Sequence, residues 1–520
     1  MTKVKPQVII PMSGVGKRFV EAGFHHLKPL IPLANSRIIY EVMSMFPGVN
    51  DPLFIISKDH VQKFELITYL KNNWPESQIS EISEHKLGPG HAINESRNCI
   101  DLNRPAIVSY CDFSGNWDFA KFCHRLTEVD SLILTYTGFH PHMLRNTKYA
   151  YVKKDTEGNV AEIQEKNSFT DFPNSEEASA GLYAFSSGSL LLSALDEQFR
   201  MNYSHNGEFY ISLTILPLLK KGFKVQTYLM DRFNQFGTPE DLYDWEYLYK
   251  AIKRNYDSEQ VSELVDQKRN ESSIILAGGV GARLSDFSEV PKPFIKLGET
   301  KLWMYSKYAA TNSTYNYIVL RQEFENFIKE SDLNNIELLT LENPTLGQAH
   351  TAKYALENIE NLPGPITFFS CDNLIGKSDY ERAIDKISSA DLVVWTASDY
   401  PMAKYKPSRY SWIDSHKTAV TKFSLKHLPN DFKNPAMIIG NFTFKNRQFA
   451  ENLLEKCLDV SERHNGEIYL DSVVQLALEF GYNVTFLNLD KFYALGTEDE
   501  LKTYHYFSEL EMSKNFRYVD

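Results

Sequence analysis

The sequence predicts an α/β fold that is built twice, each copy with a mostly parallel sheet flanked by helices. Short apolar runs alternate with longer amphipathic runs throughout both halves, which is typical of helices that connect parallel strands. The same motifs also recur in the same order in both halves. The candidate strands of the first half are Val8–Pro11, Leu53–Ser57, Ala106–Cys111, Leu132–Tyr136 and Val225–Leu229. Those of the second half are Ser273–Ala277, Tyr317–Arg321, Ile366–Cys371, Leu392–Thr396 and Val484–Leu487.

The repeated motifs indicate that one domain has been duplicated. Each copy begins with an apolar strand, a glycine-rich loop and an arginine, followed nine or ten residues later by a Lys-Pro pair. Further motifs recur along the chain, and the offset between copies falls from 265 residues at the first to 259 at the last. A period of this length indicates duplicated domains rather than a solenoid of short repeats. We therefore predict domains at 1–252 and 272–520, joined by a charged helical connector at 253–271.

Composition excludes several classes of protein. The net charge of −12 argues against a general nucleic-acid binder, which presents a basic face to phosphate. The five cysteines lack C-x-x-C spacing, so neither a structural zinc site nor a disulfide framework is expected. No apolar run approaches the roughly 18–20 residues that span a bilayer. We expect a cytoplasmic protein that binds neither nucleic acid nor membrane.

The glycine-rich loops suit phosphate binding. A strand that ends in G-x-G-x-R lets backbone amides approach a triphosphate, while the arginine and the next helix supply positive potential. The alternative is a tight strand-to-helix turn without a ligand. The residues concerned are Gly14, Gly16 and Arg18 in the first copy and Gly279, Gly281 and Arg283 in the second.

Each copy also has a lysine and an aspartate that suit the binding of phosphate and of a metal ion. Lys28 and Lys292 each precede a proline that fixes the backbone, so the ammonium group could neutralise a reacting phosphate. Asp112 and Asp372 each follow an apolar strand, where a carboxylate could hold Mg²⁺. The alternatives are an exposed loop lysine and a helix N-cap.

The ordered motifs resemble the sugar-phosphate nucleotidyltransferases over nearly all of both halves. Besides the loop, the Lys-Pro pair and the aspartate, the resemblance rests on four segments of the first copy. They are Leu87-Gly88-Pro89-Gly90-His91-Ala92, Glu165-Lys166, Ala180-Gly181-x-Tyr183 and Gly237-Thr238-Pro239-Glu240-Asp241-Leu242. The last segment and Tyr110-Cys111-Asp112-Phe113 also resemble enzymes of capsule and surface-polysaccharide pathways.

The resemblance implies Rossmann-like nucleotidyltransferase domains that join a nucleoside triphosphate to a phosphorylated small-molecule acceptor and release pyrophosphate, with Mg²⁺ as cofactor. Arg18, Lys28, Arg283 and Lys292 would be catalytic, and Asp112 and Asp372 would bind the metal. The nucleotide would contact Gly14, Gly16, Gly88, Gly90, Gly279, Gly281, Gly347 and Ala349. The acceptor would contact Glu165, Lys166, Gly181, Lys426 and Gly440.

The sequence departs from the family pattern in two places. The usual second metal carboxylate is replaced by Gln235 and Ala494, and Glu165 of the first copy becomes Leu425 in the second. The two pockets should therefore differ in acceptor. The nucleotide base stays open among CTP, UTP and dTTP, with CTP favoured by the capsule-type resemblance.

Two other interpretations stay open. One half could be a non-catalytic module that binds nucleotide or organises a homo-oligomer, which the loss of an acidic residue at Leu425 motivates. A glycosyltransferase with a similar nucleotide-binding fold is also conceivable, although neither half has a D-x-D motif at the strand end.

Overall fold

The structure is a computed structural model in which the chain forms two compact units. It describes residues 5–14, 16–33, 36–60, 62–258, 269–279, 281, 284, 288–310, 312–464 and 466–512. The described residues up to Tyr243 form the first unit, and Asp244–Met512 form the second. The domain limits predicted at 252 and 271 stay predictions, and most of the predicted connector lies outside the described residues.

The first unit and the helix that follows it contain thirteen strands and eight α-helices among the described residues. The strands are β1 Gln7–Pro11, β2 Pro32–Leu33, β3 Ser36–Arg37, β4 Leu53–Ser57, β5 Gln78–Ile82, β6 Ala106–Ser109, β7 Phe113–Asn116, β8 Ser131–Tyr136, β9 Tyr151–Lys154, β10 Val160–Gln164, β11 Glu177–Phe185, β12 Val225–Leu229 and β13 Arg232–Gln235. The helices are α1 Lys17–Glu21, α2 Ile38–Ser44, α3 Lys63–Asn73, α4 Pro89–Glu95, α5 Phe119–Arg125, α6 Gly188–Arg200, α7 Ile215–Lys220 and α8 Pro239–Ser258. Short 3₁₀ turns include Lys28–Leu30, Arg97–Cys99, Pro141–Leu144, Pro173–Ser175 and Ile211–Thr214.

The second unit repeats this order. Its strands are β14 Arg269–Ala277, β15 Lys296–Leu297, β16 Thr300–Lys301, β17 Ser313–Arg321, β18 Glu337–Leu341, β19 Ile366–Ser370, β20 Asn373–Leu374, β21 Leu392–Ala397, β22 Trp412–His416, β23 Ala419–Ser424, β24 Pro435–Phe444, β25 Val484–Asn488 and β26 Tyr493–Ala494. Its helices are α9 Leu302–Ala309, α10 Gln348–Asn358, α11 Lys377–Ile387, α12 Pro401–Tyr405, α13 Arg447–Val460, α14 Val473–Glu479 and α15 Glu498–Met512. Its 3₁₀ turns include Lys292–Phe294, Gln322–Phe327, Glu330–Leu333, Pro407–Arg409 and Leu470–Ser472.

The main sheets of the two units share one strand order. In the first unit the order runs β5-β4-β1-β6-β11-β8-β12, and in the second it runs β18-β17-β14-β19-β24-β21-β25. The first four strands of each sheet are parallel, which confirms the predicted α/β fold. The fifth strand, β11 or β24, is antiparallel to both of its neighbours in the sheet and was not predicted from the sequence.

Matching caps and cores support the duplicated fold. Ser187 accepts a hydrogen bond from the Leu190 amide at the start of α6, and Asn446 accepts one from the Phe449 amide at the start of α13. Such caps satisfy amides that the first helical turn leaves unpaired. Both helices bury apolar residues against their sheet. Each fully buried side chain of this kind contributes roughly 1.5–3 kcal/mol.

In the described part of the chain, no helix is long and apolar enough to cross a membrane.

Candidate functional site

A cleft opens at the carboxyl edge of each sheet, because β1 and β6, like β14 and β19, are neighbouring parallel strands. The cavity of the first unit has a volume of about 530 Å³. Its lining includes Gly14, Gly16, Lys28, Gly88, Asp112, Glu165, Lys166 and Gly181. The cavity of the second unit has a volume of about 280 Å³. Its lining includes Gly279, Gly281, Lys292, Asp372, Lys426 and Gly440.

The glycine loop, the lysine and the aspartate meet at one spot in the first unit. Gly16 has φ 65°, and a Cβ on it would lie 3.5 Å from the Lys28 Cβ, so the loop passes close to the lysine stem. The Lys28 ammonium donates to Asp112 Oδ2 at 2.7 Å and to the Gly237 carbonyl at 3.2 Å. Lys28 is therefore held at the mouth of the sheet, beside the carboxylate.

The second unit reproduces this arrangement. Gly281 has φ 69°, and a Cβ on it would lie 3.2 Å from the Lys292 Cβ. Lys292 Nζ lies 2.5 Å from Asp372 Oδ2. Arg283 lies outside the described residues, so the second loop is compared through its glycines alone.

Arg18 is near the cleft but does not line it. It is exposed on the short helix α1 and is not among the residues that line the cavity. Its charge nevertheless partly offsets the raised pKa of Tyr210, whose main cause is burial. Arg18 therefore contributes positive potential to this side of the unit.

Small antiparallel sheets place Gln235 next to Asp112 and Ala494 next to Asp372. These are the positions that the family resemblance assigns to a second metal carboxylate. β13 pairs with β7 so that Gln235 lies opposite Phe113, and β26 pairs with β20 so that Ala494 lies opposite Asn373. Gln235 lines the first cavity and Ala494 the second. Among the described residues, no three His, Cys, Asp or Glu side chains converge to hold a metal ion.

Gly237-Thr238 and Gly496-Thr497 form a turn before the last helix of each copy, and a carboxylate from that helix accepts a hydrogen bond from the turn. The groups that compensate the negative charge of this carboxylate differ between the units. Asp241 accepts from the Thr238 amide at 2.8 Å and pairs with Arg145. Glu500 accepts from the Gly496 amide at 2.9 Å and, on its other oxygen, from two tyrosine hydroxyls. Burial, followed by the charge of Asp372, raises the pKa of Glu500.

Two repeated motifs pack backbone against backbone beside the nucleotide loop. The Phe209 amide donates to the Leu87 carbonyl, and the Gly90 amide donates to the Phe209 carbonyl, each at 2.8 Å. A Cβ on Gly88 would lie 2.9 Å from the Phe209 nitrogen, and one on Gly90 would lie 2.8 Å from the Phe209 oxygen. Glycine is required at Gly88, where φ is also 83°, whereas the position of Gly90 holds Ala349 in the second unit.

The second unit makes the same backbone packing. The Ile468 amide donates to the Leu346 carbonyl at 2.9 Å, and a Cβ on Gly347 would lie 2.5 Å from the Ile468 oxygen. Gly90 and Ala349 are buried behind the cavity wall and do not line it. Their positions indicate a structural role, whereas Gly88 lines the first cavity.

A glycine bulge brings the antiparallel strand to the cleft. Gly181 in β11 has φ 96° and Gly440 in β24 has φ 82°, and the register with the neighbouring strand shifts at both places. Bulges re-aim the backbone locally, and here they turn both glycines toward the cavity that they line.

A lysine, an aromatic ring and a carboxylate form the side of the first cavity that the family resemblance assigns to the acceptor. Lys166 adopts φ 62° and its ammonium lies 5.1 Å from the centre of the Tyr210 ring. The same ammonium lies 3.5 Å from Glu165 Oε1. The Ser212 hydroxyl donates to Glu165 Oε2 at 2.5 Å. We call Glu165, Lys166, Tyr210 and Ser212 the first acceptor cluster.

The second cavity contains the same types of group from partly different positions. Lys426 adopts φ 49°, and its ammonium lies 4.5 Å from the centre of the Tyr469 ring. The carboxylate near it is Asp471, with Oδ2 at 3.8 Å from Lys426 Nζ. The Ser411 hydroxyl donates to that oxygen at 2.5 Å. We call Lys426, Tyr469, Asp471 and Ser411 the second acceptor cluster.

The cysteines beside Asp112 and Asp372 are unsuited to act as nucleophiles. Burial raises the pKa of Cys111 to about 12, and the same cause raises the pKa of Cys371 to about 12. The thiolate is the reactive form, so it is scarce at neutral pH in both units.

Sequence reasoning missed Asp471, Ser411 and Arg409, which lies on the rim of the second cavity. Asp471 had a signal, because it stands five residues after Gly466 in the repeated Gly-Glu-x-Tyr motif, where Ser212 stands after Gly207. Ser411 had none, because the matching residue is the alanine Ala150. The correspondence of Ala150 with Ser411 follows only from the sheet. The Ala150 carbonyl accepts from the Ser179 amide, and the Ser411 carbonyl accepts from the matching Ile438 amide.

The family model described as nucleotidyl transferase matches the chain twice, over residues 7–251 and 272–509. The chain therefore belongs to the nucleotidyl transferase family, and both the predicted resemblance and the tandem duplication are confirmed.

Individual relatives are more distant. The chain is 25% identical over 240 residues to the bifunctional protein GlmU of Methanocaldococcus jannaschii, a match that covers 45% of this chain and 52% of that protein. It thus spans about half the length of this curated relative. A nucleoside-diphosphate-sugar pyrophosphorylase structure from Vibrio cholerae RC9 is 19% identical with a TM-score of 0.40, covering 46% of this chain and 99% of that one. The inositol-1-phosphate CTP transferase of T. maritima is 18% identical with a TM-score of 0.36, covering 48% of this chain and 99% of that one.

Proposed function

We propose that the protein transfers a nucleoside monophosphate from a nucleoside triphosphate to a phosphorylated sugar or related acceptor and releases pyrophosphate. The observation that carries this proposal is the meeting of a glycine loop, a lysine and an aspartate at the same place in both units. Membership of the nucleotidyl transferase family supports it as well. Each unit has its own cleft, so we propose one reaction per unit.

The chemistry requires little beyond alignment and charge neutralisation. An oxygen of the acceptor phosphate attacks the α-phosphorus, a new P–O bond forms, and the bond to the departing pyrophosphate breaks. The glycine-loop amides would hold the triphosphate, and Lys28 or Lys292 would offset negative charge at the reacting phosphate. The protonated thiols of Cys111 and Cys371 are consistent with a mechanism without a covalent enzyme intermediate.

Asp112 and Asp372 are the residues that would hold Mg²⁺. Each presents a carboxylate to its cavity, and Mg²⁺ is commonly bound through one or two carboxylates together with substrate phosphates. The neighbouring Gln235 and Ala494 add no second carboxylate, so substrate phosphates and water would supply the other ligands. When bound, the ion would supply further charge neutralisation.

The acceptor would lie against Glu165, Lys166 and Gly181 in the first unit and against Lys426 and Gly440 in the second. We also place the product in surface-polysaccharide synthesis, on the resemblance of the segments around Asp112 and Gly237. The base, the particular acceptor and the cytoplasmic location stay predictions.

The test is a screen of the four ribonucleoside triphosphates and dTTP against phosphorylated sugars, polyols and amines, with pyrophosphate release as the measurement. We expect Mg²⁺-dependent release with at least one pair of substrates. The Asp112→Ala, Asp372→Ala double variant should lose that release while keeping the circular dichroism spectrum of the parent.

Two results would contradict the proposal. One is release that persists in the double variant. The other is transfer from, or hydrolysis of, a nucleotide sugar without pyrophosphate chemistry, which would favour a glycosyltransferase instead.

A further inference from the structure

The acceptor clusters of the two units keep their chemistry but change which residue carries the negative charge. In the first unit the carboxylate belongs to Glu165 and its hydroxyl partner to Ser212. In the second unit Leu425 stands at the position of Glu165, and Asp471 stands at the position of Ser212. The carboxylate that stands at the position of Glu165 in the first unit is therefore supplied in the second unit from the position of Ser212.

The lysine has the same conformation and the same aromatic neighbour in both clusters. Lys166 and Lys426 share a left-handed backbone conformation and a position over a tyrosine ring. Left-handed φ is uncommon and strained for a residue with a side chain, so the surrounding structure has to hold both lysines in place. Two copies that keep this strained lysine and its carboxylate indicate a shared requirement at this place.

We propose that Asp471 is the hydroxyl-binding acid of the second cleft, so that this unit binds a hydroxylated phosphate as its acceptor. The inference rests on the function proposed above. It makes the second unit a site with its own specificity, because Asp471 enters from the Leu470–Ser472 turn rather than from the Leu425–Lys426 segment.

The position of Asp471 fits binding better than support of the fold. Its side chain lines the cavity although the residue is only 4% exposed. Oδ2 receives the Ser411 hydroxyl and faces Lys426, whereas Oδ1 makes no hydrogen bond to any described residue. A carboxylate oxygen at a cavity wall can accept hydrogen bonds from ligand hydroxyls.

A hydroxylated ligand is favoured over an ammonium group. Lys426 lies 3.8 Å from the Asp471 carboxylate and offsets its charge, which weakens the attraction of this carboxylate for a cation. Lys426 and Arg409 also line the same cavity and suit a phosphate. The expected ligand is therefore a sugar or polyol phosphate rather than a phosphorylated amine.

The experiment uses the full chain with Lys28→Ala, so that pyrophosphate release reports the second cleft. The acceptor probes are glucose 1-phosphate, inositol 1-phosphate and glycerol 3-phosphate, with phosphocholine as the probe without hydroxyl groups. We expect release with a hydroxylated probe and none with phosphocholine. Adding Asp471→Asn should raise the acceptor KM about 10- to 100-fold with a small change in kcat and in the triphosphate KM, since a hydrogen bond to a charged group is lost.

A rescue variant separates binding from folding. In the Lys28→Ala chain, Asp471→Ser combined with Leu425→Glu recreates the pattern of the first acceptor cluster. We expect this combination to recover part of the lost acceptor affinity and to shift the preference among the three hydroxylated probes toward that of the first unit. Asp471→Ser alone should not recover it.

The outcomes distinguish this inference from the proposed function. Release in the parent chain but not with Lys28→Ala, or an acceptor KM that Asp471→Asn leaves unchanged, overturns the inference while the proposed function stands. A preference for phosphocholine in the second cleft also overturns it. An absence of pyrophosphate release in the parent chain with every substrate pair overturns both.

Discussion

The two clefts agree where phosphate chemistry is expected and differ where the acceptor is expected. Lys28 with Asp112 and Lys292 with Asp372 have nearly the same geometry. The acceptor clusters instead exchange the position of the acid between Glu165 and Asp471. The difference teaches that, after duplication, the place of a charge can be retained while the residue that supplies it changes.

The largest expected effect tests whether both clefts are catalytic. Lys28→Ala and Lys292→Ala should each lower turnover about 100- to 1000-fold for one of two substrate pairs, because each removes charge stabilisation from one reacting phosphate. Pyrophosphate release with each pair is the measurement. The control is Lys17→Ala, which changes an 80% exposed lysine near the first loop. If Lys292→Ala had no effect on any reaction, the second unit would be a non-catalytic module.

The next effect concerns the two carboxylates at the Gly-Thr turns. Asp241→Asn removes the carboxylate that faces the largely buried Arg145, so we expect the first unit to lose about 3 kcal/mol of unfolding free energy. Glu500→Gln should cost the second unit less than about 1 kcal/mol, since hydroxyls and an amide are its direct partners. Hydrogen exchange followed by mass spectrometry resolves each unit. Equal losses would remove this difference between the units.

A smaller effect depends on pH and concerns Glu271 in the second unit. Burial raises the pKa of Glu271 from 4.5 to about 7, and the residue is 2% exposed. The folded state then binds more protons than the unfolded state between these values. The stability of the second unit should therefore fall by up to about 3 kcal/mol as the pH rises from 4.5 to 7.

The control for this pH dependence is Glu271→Gln, which should reduce it and leave the contribution of Glu500, whose pKa burial also raises. The first unit has Pro6 at the matching position and should lack this contribution. Hydrogen exchange of the two units at pH 5 and pH 7.5 is the measurement. An unchanged slope in the variant would assign the dependence to other groups.

The smallest effect concerns the buried thiols. Cys111→Ser and Cys371→Ser should each change turnover less than about threefold, because a thiol with a pKa of about 12 carries no charge in the reaction. Alkylation at pH 8 should modify the exposed Cys99 before either of them, as mass spectrometry of peptides can show. A large loss in one variant only would reveal a role that the two clefts do not share.

Much of the fold could be predicted because its parallel strands are continuous apolar runs. The predicted Leu53–Ser57 and Val225–Leu229 agree with β4 and β12 in both bounds. β14 begins at Arg269 rather than at Ser273, so residues 269–271 of the predicted connector lie in a strand. The strand β11 was missed because its Ala-Gly segment also matched a pocket motif, and its bulge at Gly181 interrupts the regular pattern.

The candidate site was predictable where a motif repeats within a few residues. Gly16, Lys28 and Asp112 and their counterparts come from segments that precede or follow recognisable strands. The pairing of Ser411 with Asp471 joins residues 60 positions apart, and only the sheet register brings them together. The repeated motif marks Asp471 as the counterpart of Ser212, but it does not show that this acid lies where the lost Glu165 would be.

The segments that follow Gly207 and Gly466 each contribute residues to two sides of a cleft. The backbone of Phe209 or Ile468 packs against Gly88 or Gly347, and three residues further on the segment supplies Ser212 or Asp471 to the acceptor cluster. Movement of this short segment would change the binding of both substrates. We therefore expect thermodynamic linkage between them, in which each ligand changes the affinity for the other by the same factor in both halves of the chain.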